Sequence, residues 1–167
     1  MRVAWFQARM RRWLPSLRSL QKQNTPRLAV VAVCGFTLWG ACLGWLFKPG
    51  RPDAETLAFQ ALMPGIAEEM VYRGIAPAIL MGLILWKRGP DRTPWAVIAA
   101  TSVLFGIWHS LDYSHGKLGF DLLSGLFPAI GSVVRGWLRF RTGSLLVPVL
   151  GHSFANIAFH LVGEIVT

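Results

Sequence analysis

Glu68 and Glu69 stand side by side in the stretch GIAEEMVYRG at 65–74, with Arg73 four residues further on. ALMP precedes the stretch and IAPAILMGLILW follows it, so three charges lie inside an apolar run. Charged groups in such surroundings are costly unless they are paired, hydrated or used in chemistry. On a helix, Glu69 and Arg73 form an i,i+4 pair with the acid first, the favourable order. Glu68 then points about 100° away around the helix. Arg73 is therefore read as the neutralising partner of Glu69, and Glu68 as a carboxylate free to act as a general base. The alternative is that both acids share Arg73 as a folding clamp.

Three more polar side chains interrupt apolar segments. His109 ends WAVIAATSVLFGIWH, and His152 and Asn156 lie in the last such segment. His152 and Asn156 are i,i+4 and share one helical face. An imidazole beside an amide offers two hydrogen-bond donors to a developing oxyanion. His109 is placed to orient a water between itself and Glu68. A single histidine in such a segment is more often a packing or hydrogen-bonding residue between helices. A glutamate, two histidines and an asparagine on three separate segments point instead to a hydrolytic site. His160, eight residues after His152, reads as a packing or interfacial residue, and His115 as a solvated turn residue.

The elements that must carry these residues are apolar helices. The chain has 167 residues, of which 53% are hydrophobic and only 15% charged, with mean hydropathy +0.45. Soluble domains carry about 25% charged residues. LAVVAVCGFTLWGACLGWLF at 28–47 contains no charge and is long enough for a hydrocarbon core of roughly 30 Å. It is too long for a typical signal-peptide core, and no small-residue cleavage site follows it. Further apolar segments span 55–86 (interrupted by Pro64, Gly74 and Pro77), 95–109, 118–138 and 144–163. LDYSHGK separates the third from the fourth as a polar turn. Asp53 and Glu55 predict an acidic helix start. The predicted fold is all-α: a polytopic transmembrane bundle of about five spans forming one domain over 28–167, with residues 1–27 as a basic arm. Cys34 and Cys42 both fall in the first span and read as packing residues.

The net charge of +9 raises the possibility of nucleic acid, but its distribution argues for membrane lipid. Seven of the 17 basic residues precede residue 28, in a segment with no acid. Trp5, Phe6, Trp13 and Leu14 interleave with Arg9, Arg11 and Arg12, as in a helix lying at the headgroups or in a disordered basic tail. With a cytoplasmic N-terminus and five crossings, the inside holds that arm, Lys87, Arg88, Arg92, Arg135, Arg139 and Arg141. The outside then holds only Lys48, Arg51 and Lys117. This asymmetry predicts N-in, C-out, provided that 55–86 crosses once and is not a hairpin. No phosphate-binding glycine loop is present, so nucleotide dependence is not expected.

At these residues the chain resembles the CPBP family of intramembrane proteases, also called the CAAX-protease and bacteriocin-processing, or Abi, family. EEMVYR at 68–73 matches the family's EExxxR, FGIWH at 105–109 its FxxxH, and HSFAN at 152–156 its HxxxN. RTGSLLVPVLGH also looks like the family's approach to its last motif. The resemblance implies a peptide hydrolase. In it, Glu68 with His109 activates water, His152 and Asn156 hold the oxyanion, and Glu69 and Arg73 are structural. The family is described both with and without a metal, and no cofactor is expected here, because an asparagine beside His152 serves an oxyanion better than zinc does. Zinc on Glu68, His109 and His152 is the alternative, with acceptable ligand types but without the HExxH spacing. The implied substrates are membrane-anchored proteins cut near the C-terminus. C-terminal sorting tails of exported proteins are the leading case, and prenylated CaaX proteins the alternative. The implied location is a bacterial inner membrane. Two other functions use the same residues: a non-enzymatic immunity or scaffold protein, and a proton-coupled transporter, which the absence of an inverted repeat disfavours.

Overall fold

A computed structural model describes residues 25–88, 93–114 and 116–166. Most of the basic arm, Arg92 and His115 lie outside the described residues. Five helical passes carry the described chain. The first is α1 (Thr25–Phe47). Next come α2 (Ala54–Glu69), a π-helical segment (Met70–Ile75) and α3 (Ala76–Arg88), without a break or a chain reversal. Then follow α4 (Thr93–Ser110), α5 (Leu122–Thr142) and α6 (Leu146–Ile165). Asp53 caps α2 by accepting a hydrogen bond from the Thr56 amide at 2.7 Å, with Glu55 in the first turn, as the acidic start predicted.

Paired contacts give the helix directions. Along α1, Phe36, Gly40 and Gly44 meet Gly151, Ala155 and Phe159 of α6 in the same order, so the two helices are parallel. Gly40 and Gly44 are one turn apart. A Cβ on either would run into the carbonyl of Ala155 or Phe159. This close approach is the small-xxx-small packing of membrane helices. Gly65 of α2 lies against Ser153, and Gln60 against Asn156, so α2 is antiparallel to α6. α4 and α5 are likewise antiparallel, with Gly106 against Ala129 and Ile98 against Gly136.

The interior mixes a small apolar core of Phe36, Leu138, Val147 and Ala155 with many polar side chains, and the exterior is apolar. Glu69, Arg73, Arg135, His152, Ser132, Ser153, Thr101 and Thr142 are buried. Val30, Leu38, Trp45, Leu62, Ile79, Trp108 and Leu146 are exposed. A water-soluble fold hides its large apolar side chains, whereas this inversion suits a lipid-facing surface around a partly polar core. Two helices, Pro26–Phe47 and Leu146–Ile165, are long and apolar enough to cross a membrane, and Trp95–Ser110 is a shorter apolar helix.

Four expectations change. The polar turn at 111–117 is a β-hairpin of β1 (Leu111–Ser114) and β2 (Lys117–Phe120), with Leu111 opposite Phe120 and Ser114 opposite Lys117. The fold is therefore helical with one small antiparallel ribbon. The fourth helix consequently begins at Leu122, not 118, where Asp121 accepts from the Leu123 amide at 3.0 Å. Cys34 and Cys42 are exposed, not packed inside. Arg135 is buried in α5 and Arg139 half-buried, so neither is the loop charge counted in the topology argument.

Candidate active site

The site lies where α2, α4, α5 and α6 converge. Glu69 ends α2 and is fully buried. Its Oε2 lies 2.9 Å from Arg73 Nε, the i,i+4 pair that the spacing predicts. Its Oε1 lies 3.0 Å from Arg135 Nε and 2.9 Å from His152 Nδ1. Arg73 also donates to Ser132 Oγ at 2.8 Å. Arg139 Nε donates to the Arg73 carbonyl at 3.3 Å, at the π-helical segment where the α-helical bonding pattern is interrupted. Glu69 thus has three partners: a hydrogen bond with His152, and ion pairs with Arg73 and Arg135 that lie within range but off hydrogen-bond alignment. Taking any one away from such a buried ionic network typically costs about 3–5 kcal/mol.

Glu68 has a different environment. Its Oε2 makes no hydrogen bond to protein. It lies 3.7 Å from His109 Nε2 and 3.9 Å from His152 Nε2. These gaps are too long for direct hydrogen bonds and too short to hold a water in line between the atoms, which takes about twice 2.8 Å, so a water that serves these groups sits on their cavity side. The far nitrogen of each ring is already committed. His109 Nδ1 lies 2.9 Å from the Phe105 carbonyl, which can only accept, so Nδ1 carries the proton. His152 Nδ1 faces the Glu69 carboxylate in the same way. In the neutral rings both Nε2 atoms therefore present lone pairs toward Glu68. Asn156 Nδ2 donates one hydrogen to Gln60 Oε1 at 3.0 Å and keeps the other.

Phe105, the first residue of the FGIWH segment, is a buried hub. Its ring centroid is 4.3 Å from that of His109 and 6.1 Å from that of His152. The Arg73 and Arg135 guanidiniums lie over its ring at 4.7 and 5.3 Å. One aromatic ring thus contacts two cations and two imidazoles. A cavity of about 540 Å³ opens beside this cluster. Glu68, His109, Arg135, His152 and Asn156 line its polar part, and Trp39, Phe59, Met63, Phe127 and Phe159 its apolar part. His160 also borders it, in edge contact with Phe159.

Of the residues singled out from sequence, Glu68, His109 and His152 converge on one point, Glu69 and Arg73 form the adjoining ion pair, and Asn156 faces the same cavity. Arg135 and Gln60 were not anticipated. Arg135 sits in an arginine-rich run that reads as an interfacial anchor, although it lies seven residues before its helix ends. Gln60 lies two turns before Glu68 on the same face of α2, a signal that was available but carried by a neutral amide. Zinc accepts residues of the types of Glu68, His109 and His152. However, their 3.7 and 3.9 Å spacing is wider than the roughly 3.3 Å edge of a tetrahedral zinc shell. No group of three such residues among those described is arranged to hold a metal ion.

Compared with known proteins, the chain matches the family model described as type II CAAX prenyl endopeptidase, Rce1-like, over residues 52–158. That stretch is well over half of the chain and contains Glu68, Glu69, Arg73, His109, Arg135, His152 and Asn156, while Trp39, Phe159 and His160 of the cavity wall lie outside it. No curated protein and no solved structure matches it.

Proposed function

We infer that this chain, which belongs to the type II CAAX prenyl endopeptidase Rce1-like family, is an intramembrane endopeptidase in which Glu68 activates the hydrolytic water. The observation that carries the reading is the contrast between the two neighbouring carboxylates. Glu69 is paired with Arg73, Arg135 and His152 at 2.9–3.0 Å, while Glu68 Oε2 has no hydrogen-bond partner and faces the Nε2 atoms of His109 and His152 at 3.7 and 3.9 Å beside the cavity.

The chemistry follows from those positions. A water on the cavity side of Glu68 and His109 gives a proton to Glu68 as its oxygen attacks the peptide carbonyl. The free Asn156 N–H donates to the oxyanion, and His152, whose Nε2 carries a lone pair while Nδ1 donates to Glu69, adds a second donor only in the imidazolium form, with a proton bound from solvent before the step and not consumed in it. Collapse of the tetrahedral intermediate returns the Glu68 proton to the departing amine. No step passes through a metal, so a zinc chelator is expected to leave turnover unchanged.

The substrate is a membrane-anchored protein cut near its C-terminus. The apolar wall of Trp39, Phe59, Met63, Phe127 and Phe159 suits a lipid-anchored or transmembrane tail. The family description favours a prenylated cysteine followed by a short peptide over an unmodified sorting tail. The N-terminus belongs on the cytoplasmic side, on the strength of its seven basic residues.

The test pairs Glu68→Gln with Glu69→Gln in lipid nanodiscs. The probe is an internally quenched peptide carrying a farnesyl-cysteine and three further residues. Glu68→Gln is expected to fold and to lose turnover by about 10²- to 10⁴-fold. Glu69→Gln is expected to lose folded protein. Full turnover in a folded Glu68→Gln protein would remove Glu68 from the mechanism and favour a scaffold role for the cluster.

A further inference from the structure

Arg135 belongs to none of the three motifs, yet four elements meet at its guanidinium. α5 carries it and α2 supplies Glu69, whose Oε1 lies 3.0 Å from Arg135 Nε. Phe36 of α1 and Phe105 of α4 present their ring faces to it at 5.5 and 5.3 Å. The residue is only 5% exposed. A guanidinium held between two aromatic faces keeps its position independently of its anion. It is therefore a fixed reference against which Glu69 is set.

What Glu69 does with that position is the important point. The oxygen that meets Arg135 is the one that meets His152 Nδ1, whereas Arg73 takes the other oxygen. Arg73 alone leaves the carboxylate free to turn about its own ion pair. With a second cation on Oε1, each oxygen has its own guanidinium at ion-pair distance, and that charge holds the acceptor that faces His152. The buried cluster then holds two guanidiniums for two carboxylates, so the imidazole is not needed as a counter-ion. We propose that Arg135 is a positioning residue of the site, which clamps Glu69 so that this carboxylate fixes the orientation and tautomer of His152.

The role rests on the endopeptidase reading for its effect on turnover, but not for its effect on the ring. The experiment therefore reads both. Wild type, Arg135→Gln and Arg135→Lys are prepared in nanodiscs with ring-¹⁵N-labelled histidine. Their imidazole nitrogen signals are recorded, and cleavage of the farnesyl-cysteine peptide is measured on the same samples. In Arg135→Gln the His152 signals are expected to lose the Nδ1-protonated pattern, while those of His109, held by the Phe105 carbonyl, stay in place. Its kcat is expected to fall about a hundredfold, as for a reacting group displaced by an ångström, with KM unchanged. Arg135→Lys, which keeps the charge but not the fork, is expected to recover part of both losses. It also serves as the readable variant if Arg135→Gln does not fold. His152 signals identical to wild type in a folded variant would overturn the proposal. If wild type itself fails to cut the peptide, the endopeptidase reading falls, and the His152 signals alone decide the role of Arg135.

Discussion

At the scale of the residue, two adjacent glutamates have opposite environments because they project about 100° apart on one helix. One is enclosed by cations and the other faces a cavity. Removing the Glu69 charge leaves Arg73 and Arg135 buried without their shared anion. Glu69→Gln is therefore expected to lower unfolding free energy by about 3–5 kcal/mol, read as a fall in the denaturation midpoint in detergent. Asn156→Ala is expected to reduce kcat by about 10²- to 10³-fold at unchanged KM, because one oxyanion donor is lost. Gln60→Leu, which leaves Asn156 in place without its acceptor, is expected to give a smaller loss of the same kind. The motif residues were legible in the sequence because charge in an apolar run is conspicuous and helical spacing pairs it. Arg135 was not, because an arginine near two others reads as a membrane anchor unless its depth in the helix is known. Gln60 was not, because an uncharged amide raises no electrostatic question.

At the scale of the element, the apolar runs predicted helices well, and the errors fell where a turn was read from polarity alone. In LDYSHGKLGF two four-residue strands flank Gly116, whose φ is 75°. That is the local chemistry of a hairpin, and it moves the start of α5 to Asp121. This cap gives a pH prediction. The Ser124 hydroxyl and the Leu123 amide both donate to the Asp121 carboxylate and hold its pKa below the ordinary value. A depressed folded value means that the cap contributes in full above the unfolded Asp pKa of about 3.9 and loses its contribution as pH falls through the folded value. Amide exchange at 122–125 is expected to quicken over that acidic window, and Asp121→Asn is expected to abolish the pH dependence. The α1–α6 contact gives a second prediction. Leucine at Gly40 or Gly44 cannot fit against the α6 backbone, so either substitution is expected to separate the two helices. The loss would appear as a lower thermal midpoint, whereas leucine at Gly35, with open space around it, is expected to be neutral.

At the scale of the whole molecule, the inverted distribution of polarity was legible as composition, but the arrangement of the passes was not. Hydropathy says that a segment is apolar, not which neighbour it meets. The sequence therefore left open whether 55–86 crosses once or turns back. The parallel pairing of α1 with α6 belongs to contacts between residues more than a hundred positions apart, and the segment Met70–Ile75 meets residues such as Ser132 and Arg139, 59 and 66 positions from Arg73. The same pairing has a consequence for how the chain is made. His152 reaches Glu69 across 83 residues, and Arg73 reaches Ser132 across 59. At about 5–20 residues per second of synthesis, roughly 4–17 seconds pass between the emergence of Glu69 and that of its histidine. During that interval α2 holds its carboxylates with Arg73 as their only local cation, and α1 lacks the surface on which its glycines fit. Nascent chains stalled before residue 132 are therefore expected to be cleared by quality-control proteolysis, while chains stalled beyond residue 160 persist, as a pulse-chase comparison would reveal. The last helix is the birth-order switch that turns a degradable intermediate into an enduring protein.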